Sequence, residues 1–69
     1  MLKNLRQNKK LTQTELGVLI GVTGEAICQY EKNKRIPNIH NMQKLAQALD
    51  VDLKTILECF YGGPNEIEI

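Results

Sequence analysis

The chain has 69 residues, a formal net charge of +1, two cysteines, a single Phe and no Trp. That length supports one domain near the small end of what folds without staples, its core drawn mainly from Leu, Ile, Val and Ala. No apolar run approaches the roughly 20 residues of a helical membrane span, and Cys28 and Cys59 lie far apart without CxxC or Cys/His spacing, which argues against a structural metal site.

The first predicted element is a helix of about two turns carrying Leu2 and Leu5 one turn apart. It ends in Lys9-Lys10, cations suited to the negative end of a helix dipole or to a phosphate. This segment is amphipathic from its first residues, so no signal peptide is expected. Leu11 then precedes Thr12-Gln13-Thr14-Glu15, a capping box that starts a second helix. The N–H groups freed there form a natural phosphate seat, with Gln13 beside it as a further donor.

Leu16, Leu19 and Ile20 recur at helical spacing and are expected in the core, as are Ala26, Ile27 and Tyr30. Between the two sets stands Gly21-Val22, a break too short for a loop. Gly at that point can take φ > 0, ending one helix so that the next starts at an angle. Val22 is expected to turn inward, and Gly17 to leave room for the helices to cross closely. Two short helices joined so tightly describe a helix-turn-helix whose second helix is presented outward.

Thr23 is the expected N-cap of this third helix, which runs to about Lys32. Its outward side carries Gly24, Glu25, Cys28, Gln29 and Lys32. Lys32-Asn33-Lys34-Arg35-Ile36-Pro37 follows as a basic loop, in which Asn33 can close the helix and Pro37 bars continuation. Asn38 caps a fourth helix with Ile39, Met42, Leu45, Ala46 and Leu49 on one face. Asp52 caps a fifth, carrying Leu53, Ile56, Leu57 and Phe60, and Gly62-Gly63-Pro64 stops it. The tail Asn65–Ile69 alternates Glu and Ile and reads as a frayed end. Residues 1–61 thus form one domain and residues 62–69 a short tail.

Charge divides along the chain. Residues 1–44 hold eight Lys/Arg against three Glu, a balance of +5, and residues 45–69 hold one Lys against five Asp/Glu, a balance of −4. Such an arrangement suits one face on a polyanion and another turned away. Nothing resembles a nucleophile–base pair, a carboxylate dyad or a phosphate-cradling Gly loop, so no enzyme and no cofactor are expected. His40 reads as an ordinary surface residue of the fourth helix, and the cysteines as free thiols of a cytoplasmic protein.

In this order and spacing, Leu11-Thr12-Gln13-x-Glu15-Leu16, Gly21-Val22-Thr23, Ile27-x-x-Tyr30-Glu31, Arg35-x-Pro37 and Leu45-Ala46-x-Ala48-Leu49-x-Val51 resemble the Cro and phage-repressor (Xre-like) helix-turn-helix family. The resemblance covers Leu2 to about Phe60. It implies an all-α, compact five-helix domain of the lambda-repressor type that binds duplex DNA, usually as a homodimer on a near-palindromic operator. The family's base-reading positions fall on Thr23, Gly24, Glu25, Cys28 and Gln29. Its phosphate-contacting positions fall on Gln13, Lys32, Asn33, Lys34 and Arg35. Arg6 and Glu31 correspond to a pair that ties the first helix to the reading helix.

By residue chemistry, Gln29 suits adenine, Glu25 suits the amino group of cytosine, and Cys28 a thymine methyl. Glu25 is also well placed for the helix dipole. Many relatives carry Arg, Lys or Gln where this chain has Gly24. Leu57, Phe60 and Tyr61, with Ile67 and Ile69, supply apolar surface expected to pair two copies. The expected function is a transcriptional regulator, most simply a repressor. A protein-interaction module of antitoxin or anti-repressor type is the alternative, favoured by the modest net charge and by Gly24. No membrane and no small-molecule ligand enter either reading.

Overall fold

A computed structural model describes residues 1–61. It contains five helices, α1 (Leu2–Asn8), α2 (Gln13–Ile20), α3 (Gly24–Glu31), α4 (Ile39–Leu49) and α5 (Leu53–Tyr61), with no strand among the described residues. The expected stop at Gly62-Gly63-Pro64, the tail 62–69 and its Ile67 and Ile69 lie outside the described residues.

Local chemistry sets most helix ends. At α2, Thr12 Oγ1 accepts the Glu15 N–H at 3.0 Å while the Glu15 carboxylate accepts the Thr12 N–H at 2.8 Å, completing the capping box. Thr23 Oγ1 accepts from the Ala26 N–H at 3.1 Å to start α3, and Asn38 Oδ1 from the Asn41 N–H at 2.8 Å to start α4. Each such cap satisfies a backbone donor that the first helical turn leaves without a partner. In α5 the Asp52 carbonyl closes the first turn, accepting from Thr55 and Ile56. Gly21 ends α2 at φ 82°, and Asn33 follows α3 at φ 58°. Lys10 and Asp50 also take positive φ, at 58° and 59°, ending α1 and α4 without a glycine.

Helix α2 lies against α3 and α4, α5 against α4, and α1 against α3. At the centre, Leu16, Ile20, Ile27, Leu45 and Ile56 are fully enclosed, with Val22, Leu57 and Phe60 packed partly against them. Two core expectations are corrected. Leu19 is 59% exposed, because α2 buries Leu16, Gly17 and Ile20. At roughly 100° per residue, inclusion of position 17 turns the buried face away from position 19. Ile39 is 56% exposed, and Pro37 is the buried residue at that end of α4.

Candidate nucleic-acid interface

The site is built on a buried ion pair. Arg6 is only 8% exposed, and a buried guanidinium requires a counter-charge and partners for its N–H groups. Its Nε donates to Glu31 Oε2 at 2.5 Å, its Nη2 to Glu31 Oε1 at 3.4 Å, and its Nη1 to the Leu11 carbonyl at 2.7 Å. Gln13 Nε2 donates to the same Glu31 Oε1 at 3.0 Å. One carboxylate therefore joins α1, the first residue of α2 and the last residue of α3, while Arg6 itself ties in the α1–α2 connection through the Leu11 carbonyl. The Arg6–Glu31 pair was implied by the family resemblance, but Gln13 as its third member was not. Gln13 occupies the expected start of α2, with its amide nitrogen turned to Glu31.

The first turn of α3 comes close to the first turn of α2. A Cβ on Gly24 would lie 2.9 Å from Thr14 Oγ1 and 3.2 Å from the Thr14 Cα and N. Gly24 thus has a packing reason, and the open side of its Cα faces α2. Sequence reading treated this glycine as a missing reading side chain, because the proximity of Thr14 is a tertiary contact.

Along the outward side of α3, Thr23 and Glu25 are exposed while Cys28 and Gln29 are half-buried. Gln29 Nε2 donates to Glu25 Oε2 at 3.3 Å, one turn away along the helix. Lys32, Asn33, Lys34 and Arg35 are all exposed. The Asn33 N–H donates to the Tyr30 carbonyl at 3.1 Å and the Lys34 N–H to the Gln29 carbonyl at 2.9 Å. The loop backbone is thereby fixed directly onto the end of α3. Among the described residues no ion pair engages Lys32, Lys34 or Arg35, so three cations with a positioned backbone adjoin the outward face.

Lys9 behaves differently, its Nζ lying 3.6 Å from Asp50 Oδ2 across the α1–α4 ends. Sequence reading offered helix dipole or phosphate for Lys9, and no local pattern shows that Asp50 is near. His40 is exposed, as expected.

The surplus apolar surface expected on the last helix is smaller than the residue types suggest. Leu57 and Phe60 are half-buried against the chain's own core, and the Phe60 ring meets Tyr30 edge-on at 6.1 Å and 85°. Tyr61 is 60% exposed. A second apolar surface escaped the sequence reading, an open groove on α2 lined by Leu11, Thr14, Glu15, Val18 and Leu19. The exposed pair Val18-Leu19 carried a signal for it, two adjacent apolar residues of which at most one fits a stripe that includes Leu16 and Ile20.

Both cysteines are free thiols of intermediate burial. Burial raises the pKa of Cys59; the N-terminal ammonium lowers it and Glu58 raises it by lesser amounts. Among the described residues no group of His, Cys, Asp and Glu is placed to hold a metal ion, and no helix is long and apolar enough to cross a membrane.

A protein-family model described as helix-turn-helix matches residues 2–56. Among curated proteins, the chain is 35% identical over 65 residues to the "Uncharacterized HTH-type transcriptional regulator YqaE" of Bacillus subtilis, a match covering 94% of this chain and 53% of that protein. It is 41% identical over 49 residues to multiprotein-bridging factor 1a of Arabidopsis thaliana, covering 71% of this chain and 34% of that one. With multiprotein-bridging factor 1 of Candida albicans it shares 40% identity over 53 residues, 77% and 35% of the two lengths. The chain therefore spans about half of the first relative and about a third of the other two. No solved structure matches at the same stringency.

Proposed function

The chain belongs to the Xre/Cro-type helix-turn-helix family, and from that premise we propose that it is a sequence-specific DNA-binding regulator of transcription. In its simplest form it is a cytoplasmic repressor that covers a promoter, binding a near-palindromic operator as a homodimer with α3 in the major groove. The observation that carries this reading is the continuity of the outward face of α3 with the exposed cations Lys32, Lys34 and Arg35. Cations placed beside a reading helix can fix its register on the phosphate backbone while the helix side chains reach base edges.

Thr23, Glu25, Cys28 and Gln29 are the base-reading side chains in this proposal, and Gly24, packed against Thr14 at the start of the same helix, leaves that position without a side chain. Lys32, Asn33, Lys34 and Arg35 face phosphate, and Gln13 adds the one amide N–H that its bond to Glu31 leaves over. Tyr61, with the outer edges of Leu57 and Phe60, joins two copies, so that two reading heads stand about 34 Å apart, one turn of the duplex. The relative named as a transcriptional regulator supports the same role.

The test is selection from a randomised duplex pool, followed by titration of the enriched DNA at two salt concentrations. An inverted repeat with half-sites one turn apart is the expected product. Substituting Arg35→Ala is expected to weaken all sequences alike and to reduce the salt slope by about 0.9. Gln29→Ala should relax base preference with little change of slope. If no duplex is retained at low salt, the proposal fails.

A second reading is a module that binds another protein, of the antitoxin or anti-repressor kind. The exposed groove on α2 favours it, and three matched relatives are named multiprotein-bridging factors. The salt slope of duplex binding separates the two readings, since a phosphate-bound complex releases counterions and loses affinity steeply with salt.

A further inference from the structure

We propose that the Glu25–Gln29 pair makes α3 an acceptor-rich reading head, so that it selects base pairs by which strand carries the exocyclic amino group. This inference rests on the DNA-binding reading above and specifies the class of half-site. Helix α3 contains no Arg or Lys, which removes the commonest specific contact, a cation bidentate to guanine O6 and N7. What the helix does carry on its outward side is mainly acceptors. An ionised Glu carboxylate has no proton to donate and two oxygens that accept. Gln29 has already committed one amide hydrogen to Glu25 Oε2 at 3.3 Å. That bond turns the amide nitrogen toward Glu25 and leaves Gln29 Oε1 as an acceptor with one N–H beside it.

Thr23 does not reverse the balance. Its Oγ1 accepts from the Ala26 N–H at 3.1 Å, which leaves the hydroxyl proton as a single donor at the start of the helix. Cys28 offers only a weak S–H donor. The centre of the reading face is therefore dominated by the oxygens of Glu25 and Gln29.

Every base pair shows one amino group in the major groove, N6 of adenine in A·T and N4 of cytosine in G·C. The same pair shows a keto oxygen on the other strand. An acceptor facing one strand thus admits adenine or cytosine there and rejects thymine or guanine, whose oxygens would confront the carboxylate. Gln29 narrows its own position to adenine, because Oε1 accepts from N6–H while the remaining N–H donates to N7. Glu25 acts in two ways: it reads an amino group directly, and it is the positioning residue that orients the Gln29 amide.

The experiment is selection from the randomised pool with the wild-type chain and with Glu25→Gln, Glu25→Ala and Gln29→Ala, all checked by thermal melting. The wild-type half-site is expected to contain a position degenerate for adenine or cytosine on one strand, next to a fixed adenine. Glu25→Gln should admit guanine and thymine at the degenerate position, because its amide can donate. Glu25→Ala should erase that preference and also loosen the fixed adenine. Replacing the fixed adenine by purine, which lacks the amino group, should weaken wild-type binding about tenfold and leave Gln29→Ala binding nearly unchanged.

The inference is overturned if the Glu25 substitutions change no position of the enriched site. It is overturned equally if the position they change separates A·T from G·C, or if purine binds as well as adenine. All of these results leave DNA binding itself standing. Failure of the wild-type chain to retain any duplex removes the DNA-binding reading and this inference with it.

Discussion

Gly17 and Val22 are joined at the turn between α2 and α3 by one hydrogen bond and one forbidden contact. The Val22 N–H donates to the Gly17 carbonyl at 2.8 Å, and a Cβ on Gly17 would lie 2.6 Å from the Val22 oxygen. Gly21, at φ 82°, makes this reversal possible, and its own N–H returns to the carbonyls of Gly17 and Val18. The glycine that weakens α2 as a helix is thus the one that lets the chain turn back onto it.

Substituting Gly17→Ala is expected to destabilise the fold even though alanine gains up to about 1 kcal/mol in helix propensity. The backbone oxygen of Val22 cannot move aside without shifting α3, so a net loss of about 1–3 kcal/mol is expected. Gly24→Ala should lose less, since its closest neighbour is the Thr14 side-chain oxygen. Thermal melting of both variants decides the matter, and a Gly17→Ala midpoint at or above wild type would refute the account.

Removing either member of the Arg6–Glu31 pair leaves a buried charge alone. Arg6→Met or Glu31→Leu should each destabilise by about 3 kcal/mol or more, a large fraction of what a domain this small possesses. The double variant should recover much of that loss. Urea unfolding of the two single variants and the double provides the comparison, and strict additivity would mean that the pair is not coupled.

Phe60 and Tyr61 are neighbours expected to behave differently. Phe60→Ala removes a ring packed edge-on against Tyr30 and should lower stability by about 1 kcal/mol for the aromatic contact, beyond the loss of buried area. Tyr61→Ala removes an exposed ring and should leave the stability of the monomer within about 0.5 kcal/mol of wild type. If the end of α5 pairs two copies, sedimentation of Tyr61→Ala should show monomer under conditions where wild type is dimeric. A wild-type chain that sediments as a monomer at all concentrations, free and on DNA, would exclude the homodimer.

Burial holds the Cys59 thiol above its ordinary pKa of 9.0. The folded chain keeps that proton more tightly than the unfolded chain, so this thiol adds stability below the unfolded pKa that is lost as pH rises through the higher folded value. In a Cys28→Ala background, iodoacetamide should react slowly with Cys59 near neutrality. The half-point of the rate against pH should lie above that of the same chain in urea. Coincident profiles for folded and unfolded chains would show that the site is not desolvated.

Much of this domain is local chemistry and was legible as such. Thr12 with Glu15, Thr23, Asn33 and Asn38 each act on backbone groups within a few residues, so a short sequence window contains both partners. The stripe of Met42, Leu45, Ala46 and Leu49 likewise needs only the helical repeat. The neighbours of Gly24, Lys9 and Leu19 are not written in nearby positions, for the opposite reason. Their surroundings are Thr14, Asp50 and the rotation that Gly17 imposes on α2, and each depends on how separate helices are brought together.

The order of caps, apolar stripes and breakers by itself determined five helices, a helix-turn-helix at Gly21, and an outward third helix followed by a basic loop. Only the tertiary structure decided that one Glu31 carboxylate holds Arg6 and Gln13 together, that Gly24 faces Thr14, and that Leu57 and Phe60 spend their surface on the chain's own core. Backbone capping and helical periodicity act over a few residues and are written in neighbouring positions. Close approach between helices depends on crossing geometry and packing, which no single segment encodes.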